Sequence, residues 1–369
     1  MTEQRTQRFP QVGPGEDMGP PGVFYREEVQ LALRNRGMPL EGLRYDVTPV
    51  GMHYLLIHFD IPDAVASDWR LEVGGLVAKP LMLGVAELRE RPRVSLPVTM
   101  ECGGNGRALM DPRPISQPWL IEAIGTAEWT GTPLRGLLEE AGLKPEAVEV
   151  VFTGADEGVQ GDEQQFYQRS LSIEEATRDE VMIAYEMNGR PLEPQHGYPL
   201  RLLVPGWYGM TSVKWLKSIE VVARPFEGYQ MIGSYRYTQS ADDLGEPVTT
   251  IRVRALMVPP GIPDFLTRVR LVQRGPVTLS GRAWAGRLEV RRVEVSTDGA
   301  KTWQEARLEA SIGRFAWTGW SFEWEAEPGE YELAVRATDS EGNAQPEVQN
   351  WNYQGMGNNG VQRVSVIVD

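Results

Sequence analysis

From about residue 250 to the C-terminus the sequence is a run of short segments in which apolar and polar residues alternate. No other feature constrains the fold as strongly. The segments cover residues 277–284, 292–296, 302–309, 320–324, 331–338 and 361–368. Turn signals such as Asp298-Gly299 and Glu341-Gly342-Asn343 separate them. Alternation turns every second side chain to one face, and about six or seven such strands in roughly 120 residues predict an all-β sandwich of immunoglobulin type. The disulfide of antibody domains has no counterpart, because the chain holds a single cysteine.

The preceding part has a different texture. Residues 24–36 (FYREEVQLALRNR) have helical spacing, with Val29, Leu31 and Leu33 towards one side and Gly37 as a stop. Residues 53–62 are apolar apart from His53 and His58, as in a strand covered on both faces. Thr, Pro and Gly punctuate a helix over 132–142, and Ser172 with Glu175 forms a capping-box pattern at the start of another over 172–178. Strands are expected at 69–75, 94–100, 149–152, 181–185, 200–205 and 219–223, the fourth-from-last of these opening onto a loop at 153–158. Strands outnumber helices but the two are interspersed, which reads as a mixed α+β domain. The expected division is an extended arm at 1–24, the α+β domain at 25–245 and the sandwich at 250–369.

Charge removes whole classes of function. With 51 acidic and 37 basic residues the formal net charge is -14, the opposite of what a general nucleic-acid binder needs to neutralise phosphates. Any anionic ligand must be held by local cations against that field. No apolar run approaches the roughly 18 residues of a membrane span, and the first 22 residues lack the apolar core of a signal peptide. The chain as written therefore reads as cytoplasmic, or periplasmic if a signal has been removed from it.

The lone cysteine lies in Thr99-Met100-Glu101-Cys102-Gly103-Gly104-Asn105-Gly106-Arg107. It rules out an internal disulfide framework, a four-cysteine iron-sulfur site and a C-x-x-C-H haem attachment. Three readings remain open for the thiol: a small buried hydrophobe, a nucleophile, or a ligand to a soft metal. The three histidines, His53, His58 and His196, have no zinc-site spacing. A cysteine hydrolase would need a matched base and orienting group, and no such signature is present.

Taken in order, the motifs resemble the sulfite oxidase family of molybdenum-cofactor oxidoreductases, which includes sulfite oxidases, assimilatory nitrate reductases and bacterial sulfane dehydrogenases. The resemblance runs from about Thr48 to the C-terminus. It is carried by Thr48-Pro49 with Leu55-Leu56-Ile57-His58-Phe59, M-E-C-G-G-N-G-R at 100–107, T-A-E-W-T-G-T-P-L at 126–134, A-Y-E-M-N-G-R-P-L at 184–192, H-G-Y-P-L-R-L-L-V-P-G at 196–206, S-V-K-W-L at 212–216 and V-S-T-D-G-A-K-T-W at 295–303. The resemblance implies a mononuclear molybdenum-molybdopterin cofactor with Cys102 as its thiolate metal ligand, a fitting donor for a soft centre. It implies pterin and phosphate contacts from Tyr54, Leu55, His58, Asp156, His196, Arg201, Ser212, Val213 and Lys214. It implies a substrate pocket formed by Leu56, Trp119 and Gln354, with Arg107 and Tyr237 as catalytic groups and Tyr235 as the alternative tyrosine. A homodimer formed through the sandwich is also implied.

Two positions depart from sulfite oxidases, which carry arginines where this chain has Leu56 and Gln354. A guanidinium about 4 Å from a unit charge contributes on the order of 4 kcal/mol at an effective dielectric of 20. Losing two should weaken the grip on a dianion severely. The expected function is two-electron oxygen-atom transfer on a small sulfur compound less charged than free sulfite. Sulfane dehydrogenation, sulfoxide or nitrate reduction, and a non-catalytic binding protein that keeps the fold are the alternatives. With no haem or iron-sulfur motif in the chain, electrons are expected to leave to a cytochrome partner or to dioxygen.

Overall fold

The structure is a computed structural model that describes residues 18–19 and 22–369, so most of the expected arm at 1–24 lies outside the described residues. The first region opens with helix α1 (Arg26–Arg34), somewhat shorter than expected. Strands β1 (Arg70–Gly75), β2 (Leu81–Gly84), β3 (Val94–Glu101) and β4 (Ile124–Pro133) follow. Helix α2 (Leu134–Ala141) comes next, ended by Gly142 at φ +71°. Then come β5 (Glu149–Gln160), β6 (Glu163–Ser172), β7 (Met182–Met187), β8 (Arg201–Leu203) and β9 (Leu216–Val222).

These strands form two sheets. One has the order β2-β1-β9-β5-β6, with β9 parallel to β1 and antiparallel to β5. The other runs β7-β4-β3, and β8 adds to the free edge of β7. The core of the first sheet gathers Leu71, Phe152, Ile219 and the apolar face of α2, with Leu134, Leu137 and Leu138. Beyond residue 250, β10 (Arg254–Met257), β11 (Arg270–Val272), β12 (Gly275–Trp284), β13 (Val290–Ser296), β14 (Thr318–Ala326), β15 (Gly329–Asp339) and β16 (Gln362–Val368) form a sandwich. Its four-stranded sheet contains β10-β12-β14 and its six-stranded sheet β11-β16-β15-β13, each completed by short edge pieces. The chain is thus mixed α+β followed by an all-β sandwich, mostly strand with few helices. Among the described residues no helix is long and apolar enough to cross a membrane.

A continuous apolar layer joins the two regions, packing Tyr208, Met210 and Tyr235 against Leu256, Trp284 and Trp317. The end of β3 is tied into the sandwich beneath that layer. Glu101 accepts from Arg254 Nη1 at 2.8 Å and from Trp284 Nε1 at 2.8 Å, with both ionic partners buried. The residue before Cys102 is therefore anchored to the second region.

Three expectations fail, each for a physical reason. Leu33 on α1 is 83% exposed and Val29 is also exposed, whereas Glu28 is buried in an ion pair with Arg113. The helix docks through the face that carries Glu28, whose carboxylate pairs with buried Arg113 and accepts from the Ser116 N–H. Residues 53–62 form no strand. Their backbone pairs with other groups, Leu55 bridging Arg36 and Ile57 N–H donating to Asn35 Oδ1 at 2.7 Å, while His53, Tyr54, Leu55, Leu56 and His58 line a cavity. The expected loop at 153–158 is instead the middle of β5, which turns through Gly161 and Asp162, both at φ +61°, into β6. A two-residue turn with both residues left-handed matches the twist of paired strands, which is why Gly-Asp closes this long hairpin.

Candidate functional site

The site lies between the two sheets of the first region, where β3 ends and the irregular 53–62 segment, the β5–β6 hairpin and the 194–214 loops converge. Cys102 follows β3 directly, and its backbone N–H donates to Ala123 O at 2.9 Å. Asn105 locks the loop beyond it, donating to Glu101 Oε1 at 2.9 Å and accepting from Ala123 N–H at 3.0 Å. Burial pushes the Cys102 thiol above its ordinary range. The Gly104 N–H, the Arg107 guanidinium and the Trp119 indole pull it back down. Two N–H donors and one nearby positive charge would thus favour a thiolate once a metal removes the proton.

Arg107 is buried beside this loop and held by backbone rather than by carboxylates. Its Nε donates to Gln354 O at 3.1 Å, and its Nη2 lies 3.4 Å from the Met356 sulfur. Glycines make room for it: a Cβ on Gly104 or Gly355 would come within 2.6 Å of the arginine side chain.

Tyr54, Leu55, Leu56, His58, Cys102, Asp156, His196, Arg201, Ser212 and Lys214 line one cavity of about 610 Å³, its open mouth included. Its cations are unusual. Lys214 Nζ donates to Leu56 O at 2.7 Å and Gln195 O at 3.1 Å, and burial with the neighbouring Arg201 brings its pKa down to about 7 despite Asp156. Burial raises Asp156 to about 6 against the pull of Lys214, and its Oδ1 has no partner. Arg201 donates to His196 O at 2.9 Å and Ser212 O at 3.1 Å, lies 4.7 Å over the Trp129 ring, and leaves Nε unpaired. Burial lowers its pKa to about 10. Burial likewise holds His58 below its usual range and His196 down to about 2, where the adjoining His53 and Arg201 add to the effect. These histidines are neutral at physiological pH and available as donors or acceptors.

Several expected residues are placed elsewhere. The Val213 side chain is buried in the core of the first sheet, not in the cavity. Trp119 touches the Cys102 sulfur without lining the cavity. The Gln354 side chain accepts from Arg236 N–H at 3.0 Å, supporting the neighbouring turn. Tyr237 is turned away: its ring stacks 4.3 Å beneath the Arg252 guanidinium, and its hydroxyl abuts Gly357. Tyr235 lines the cavity instead. Its backbone is left-handed at φ +58°, a conformation costing on the order of 1 kcal/mol for a bulky L residue. This explains why counting along Ser234-Tyr235-Arg236-Tyr237 does not by itself show which ring lines the cavity. Burial and nearby Cys102 push the Tyr235 hydroxyl up to about 12, while Tyr167, Arg169 and Arg107 draw it down.

The cavity also uses residues that sequence reasoning passes over: His53, Met100, Tyr167, Gln195, Gly209 and Met210. His53 stacks on Tyr54 with ring centres 5.1 Å apart, meets His196 edge-on at 5.6 Å, and keeps an unpaired Nε2. Tyr167 comes from the unforeseen hairpin and donates to Met210 O at 2.8 Å. The one signal available for it is the Gly161-Asp162 turn.

A pterin bearing a phosphate and a soft metal fits these residues. The thiol provides the only sulfur in the cavity that can become an anionic soft donor, the orphaned Asp156 Oδ1 and Arg201 Nε await polar partners, and Gly209 leaves open the space at the Tyr54 hydroxyl that a Cβ would fill at 2.3 Å. Among the described residues no three His, Cys, Asp or Glu side chains gather into a metal site, so a metal here must bring most of its own ligands.

Comparison with known proteins agrees with this chemistry. The family described as oxidoreductase molybdopterin binding domain matches residues 58–230, and that described as Mo-co oxidoreductase dimerisation domain matches 249–369. A nitrate reductase (NADH) from Solanum lycopersicum is 34% identical over 366 residues, an alignment covering 90% of this chain and 40% of the relative. A nitrate reductase (NAD(P)H) from Hordeum vulgare is 35% identical, over 87% of this chain and 39% of the relative. The chain thus spans about 40% of the length of the curated relatives it matches. Among solved structures, the sulfane dehydrogenase SoxCD from Paracoccus pantotrophus superposes with a TM-score of 0.78 at 27% identity, covering 97% of this chain and 96% of that one.

Proposed function

The chain belongs to the sulfite oxidase family of molybdopterin oxidoreductases, and from that premise we propose that it is a molybdenum enzyme acting on a small sulfur compound through Cys102. The observation that carries this reading is the buried Cys102 thiol at a cavity whose other walls hold Asp156, Arg201 and Lys214. When bound, the cofactor supplies the two-electron redox chemistry. Cys102 would hold the metal, Arg201, Lys214 and Ser212 the phosphate, and Tyr54, His58, Asp156 and His196 the pterin. Arg107 holds positive charge beside the thiol, and Leu56 narrows the pocket where sulfite oxidases place a cation. These features support a substrate with less charge than sulfite.

Elemental analysis and a dye-linked substrate screen test the reading. Molybdenum near one per chain with a released fluorescent pterin supports it, and metal-free protein overturns it. Sulfite oxidation with a low-micromolar Michaelis constant would overturn the substrate class. Nitrate belongs in the same screen, because the curated relatives named above are nitrate reductases. Phe265 and Leu266, 85% and 84% exposed on the sandwich, support a homodimer built on that region.

Tyr235 takes the role of proton or hydrogen-bond donor to the reacting group. Tyr235→Phe is expected to lower turnover by about a hundredfold or more, the usual range for a positioned acid or base. Tyr237→Phe should leave turnover within about threefold, because that ring serves Arg252. Steady-state rates of the two variants check the assignment, and the reverse ranking would refute it.

Lys214 carries a pH signature in protein stripped of cofactor. Folded, it loses its proton near pH 7, whereas in the unfolded chain the value is 10.5. Between these values the unfolded chain binds more protons, so stability rises with pH across that window. Below it, the buried charge exerts its full cost. Lys214→Met is therefore expected to raise the melting temperature most near about pH 6 and least near about pH 10. Thermal melts of stripped wild type and variant check this, and curves that stay parallel would refute it.

A further inference from the structure

Arg169 is a buried cation that nothing in the proposed cofactor site uses. It lies on β6 and is 1% exposed, and no carboxylate lies within ion-pair distance among the described residues. Its Nη1 donates to Gln230 O, its Nε has no partner, and its guanidinium lies 5.5 Å over the Tyr235 ring. An unpaired buried charge is costly, so a side chain kept in this state points to a task other than stability. The task is placed by its neighbours. Tyr235 and Tyr167 line the cavity with Cys102, and Arg169 bears on both of their hydroxyls. Arg107, also without a carboxylate, bears on Cys102 and Tyr235. Two guanidiniums that make no ion pair among the described residues thus bear on one tyrosine of the cavity, Arg169 from over its ring and Arg107 through its charge.

We propose that Arg169 is a positioning residue for an anion: acting through Tyr235, with Arg107, it replaces the charge lost at Leu56 and Gln354 and makes the substrate a singly charged sulfur anion rather than a neutral sulfoxide. The inference rests on the functional reading above for the identity of the pocket. It explains how a pocket with leucine and glutamine at those two positions retains attraction for anions. It also explains the strained tyrosine, since the ring of Tyr235 is what separates Arg169 from the cavity.

The test compares methanesulfonate, a monoanion, with dimethyl sulfone, its neutral near-isostere, by calorimetric titration of the protein as purified. Wild type should bind the anion more tightly. Arg169→Met and Arg169→Gln should weaken methanesulfonate binding about 30-fold, the Coulomb attraction expected at a separation of about 8 Å and an effective dielectric of 20. Dimethyl sulfone should be unaffected, Arg169→Lys should bind the anion within about threefold of wild type, and melting temperatures should change little, because the bond lost to Gln230 O is offset by removal of a buried charge that has no ion-pair partner. Unchanged anion binding in the Met and Gln variants would overturn the proposal. So would equal loss of both ligands, which marks a structural role, or a wild-type preference for the sulfone. Molybdenum content measured on the same samples separates the two readings. Metal-free wild type refutes the functional assignment, while the difference between wild type and Arg169→Met still decides the role of Arg169, since any sulfonate held at Arg201 and Lys214 is common to both.

Discussion

Cys102→Ser is expected to remove turnover by about a thousandfold or more, a loss of roughly 4 kcal/mol of transition-state stabilisation at 1.36 kcal/mol per decade. The reason lies in the donor. Serine keeps its proton at neutral pH and is a hard oxygen, whereas a soft metal centre calls for a thiolate. The fold should survive. The hydroxyl would inherit the Gly104 N–H and the Trp119 indole that now approach the sulfur, so no buried polar atom is orphaned. A melting temperature close to wild type with abolished dye-linked turnover is the expected pair of results. Folded Cys102→Ser protein that turns over at the wild-type rate would refute the assignment. The same protein assayed for molybdenum shows whether the thiol serves mainly to retain the metal or to tune it.

What the sequence made legible was whatever rested on local pattern. The alternating segments after residue 250 became the sandwich, because period-two burial is written in each strand. Gly142 marked the end of α2 because only a residue free to adopt φ +71° closes that turn without strain. The cavity residues His196, Arg201 and Lys214 were reached through ordered motifs and converge as a group in space. The failures share a different cause, in that tertiary context decides them. Residues 53–62 look like a buried strand because most of their side chains are apolar, yet 53–56 and 58 line a cavity and the backbone bonds to Arg36 and Asn35. Leu33 looks like a core residue on an amphipathic helix, but the Glu28–Arg113 pair decides which face docks. The tyrosine depends on a single left-handed residue, and no spacing rule anticipates φ +58° on a tyrosine. Arg169 was invisible for the same reason as its hairpin: without the β5–β6 pairing, nothing brings it over the Tyr235 ring.

Breaking the buried Glu101–Arg254 pair should produce a large loss of stability. Glu101 accepts from Arg254 at 2.8 Å, Asn105 at 2.9 Å and Trp284 at 2.8 Å, so Glu101→Ala removes three hydrogen bonds at once, leaves the Trp284 indole N–H without an acceptor and leaves Arg254 with only the Asn358 carbonyl. Removing one partner of a buried pair costs about 3–5 kcal/mol, because the remaining guanidinium has neither water nor counter-charge. At about 2–4 °C per kcal/mol for units of this size, the melting temperature should fall by roughly 6–20 °C. The exposed pair Arg34–Asp60 provides the contrast. Its side chains are 41% and 90% exposed, and deleting it should cost under about 1 kcal/mol despite a shorter contact of 2.7 Å. Replacing both members by methionine should recover much of the loss, because an apolar pair of similar volume has no charge to desolvate. Glu101→Gln should fall between, keeping acceptors for some of the donors while leaving Arg254 without its counter-charge. Thermal melts of the single and double variants measure the coupling, and a loss in Glu101→Ala no larger than that of the surface pair would refute the argument. The consequence reaches function through the chain itself. Asn105, which locks the loop after Cys102, is held by the same carboxylate, so a loosened Glu101 should lower molybdenum retention as well as stability. The sandwich would then act on the thiol without touching it, by fixing the residue that precedes it.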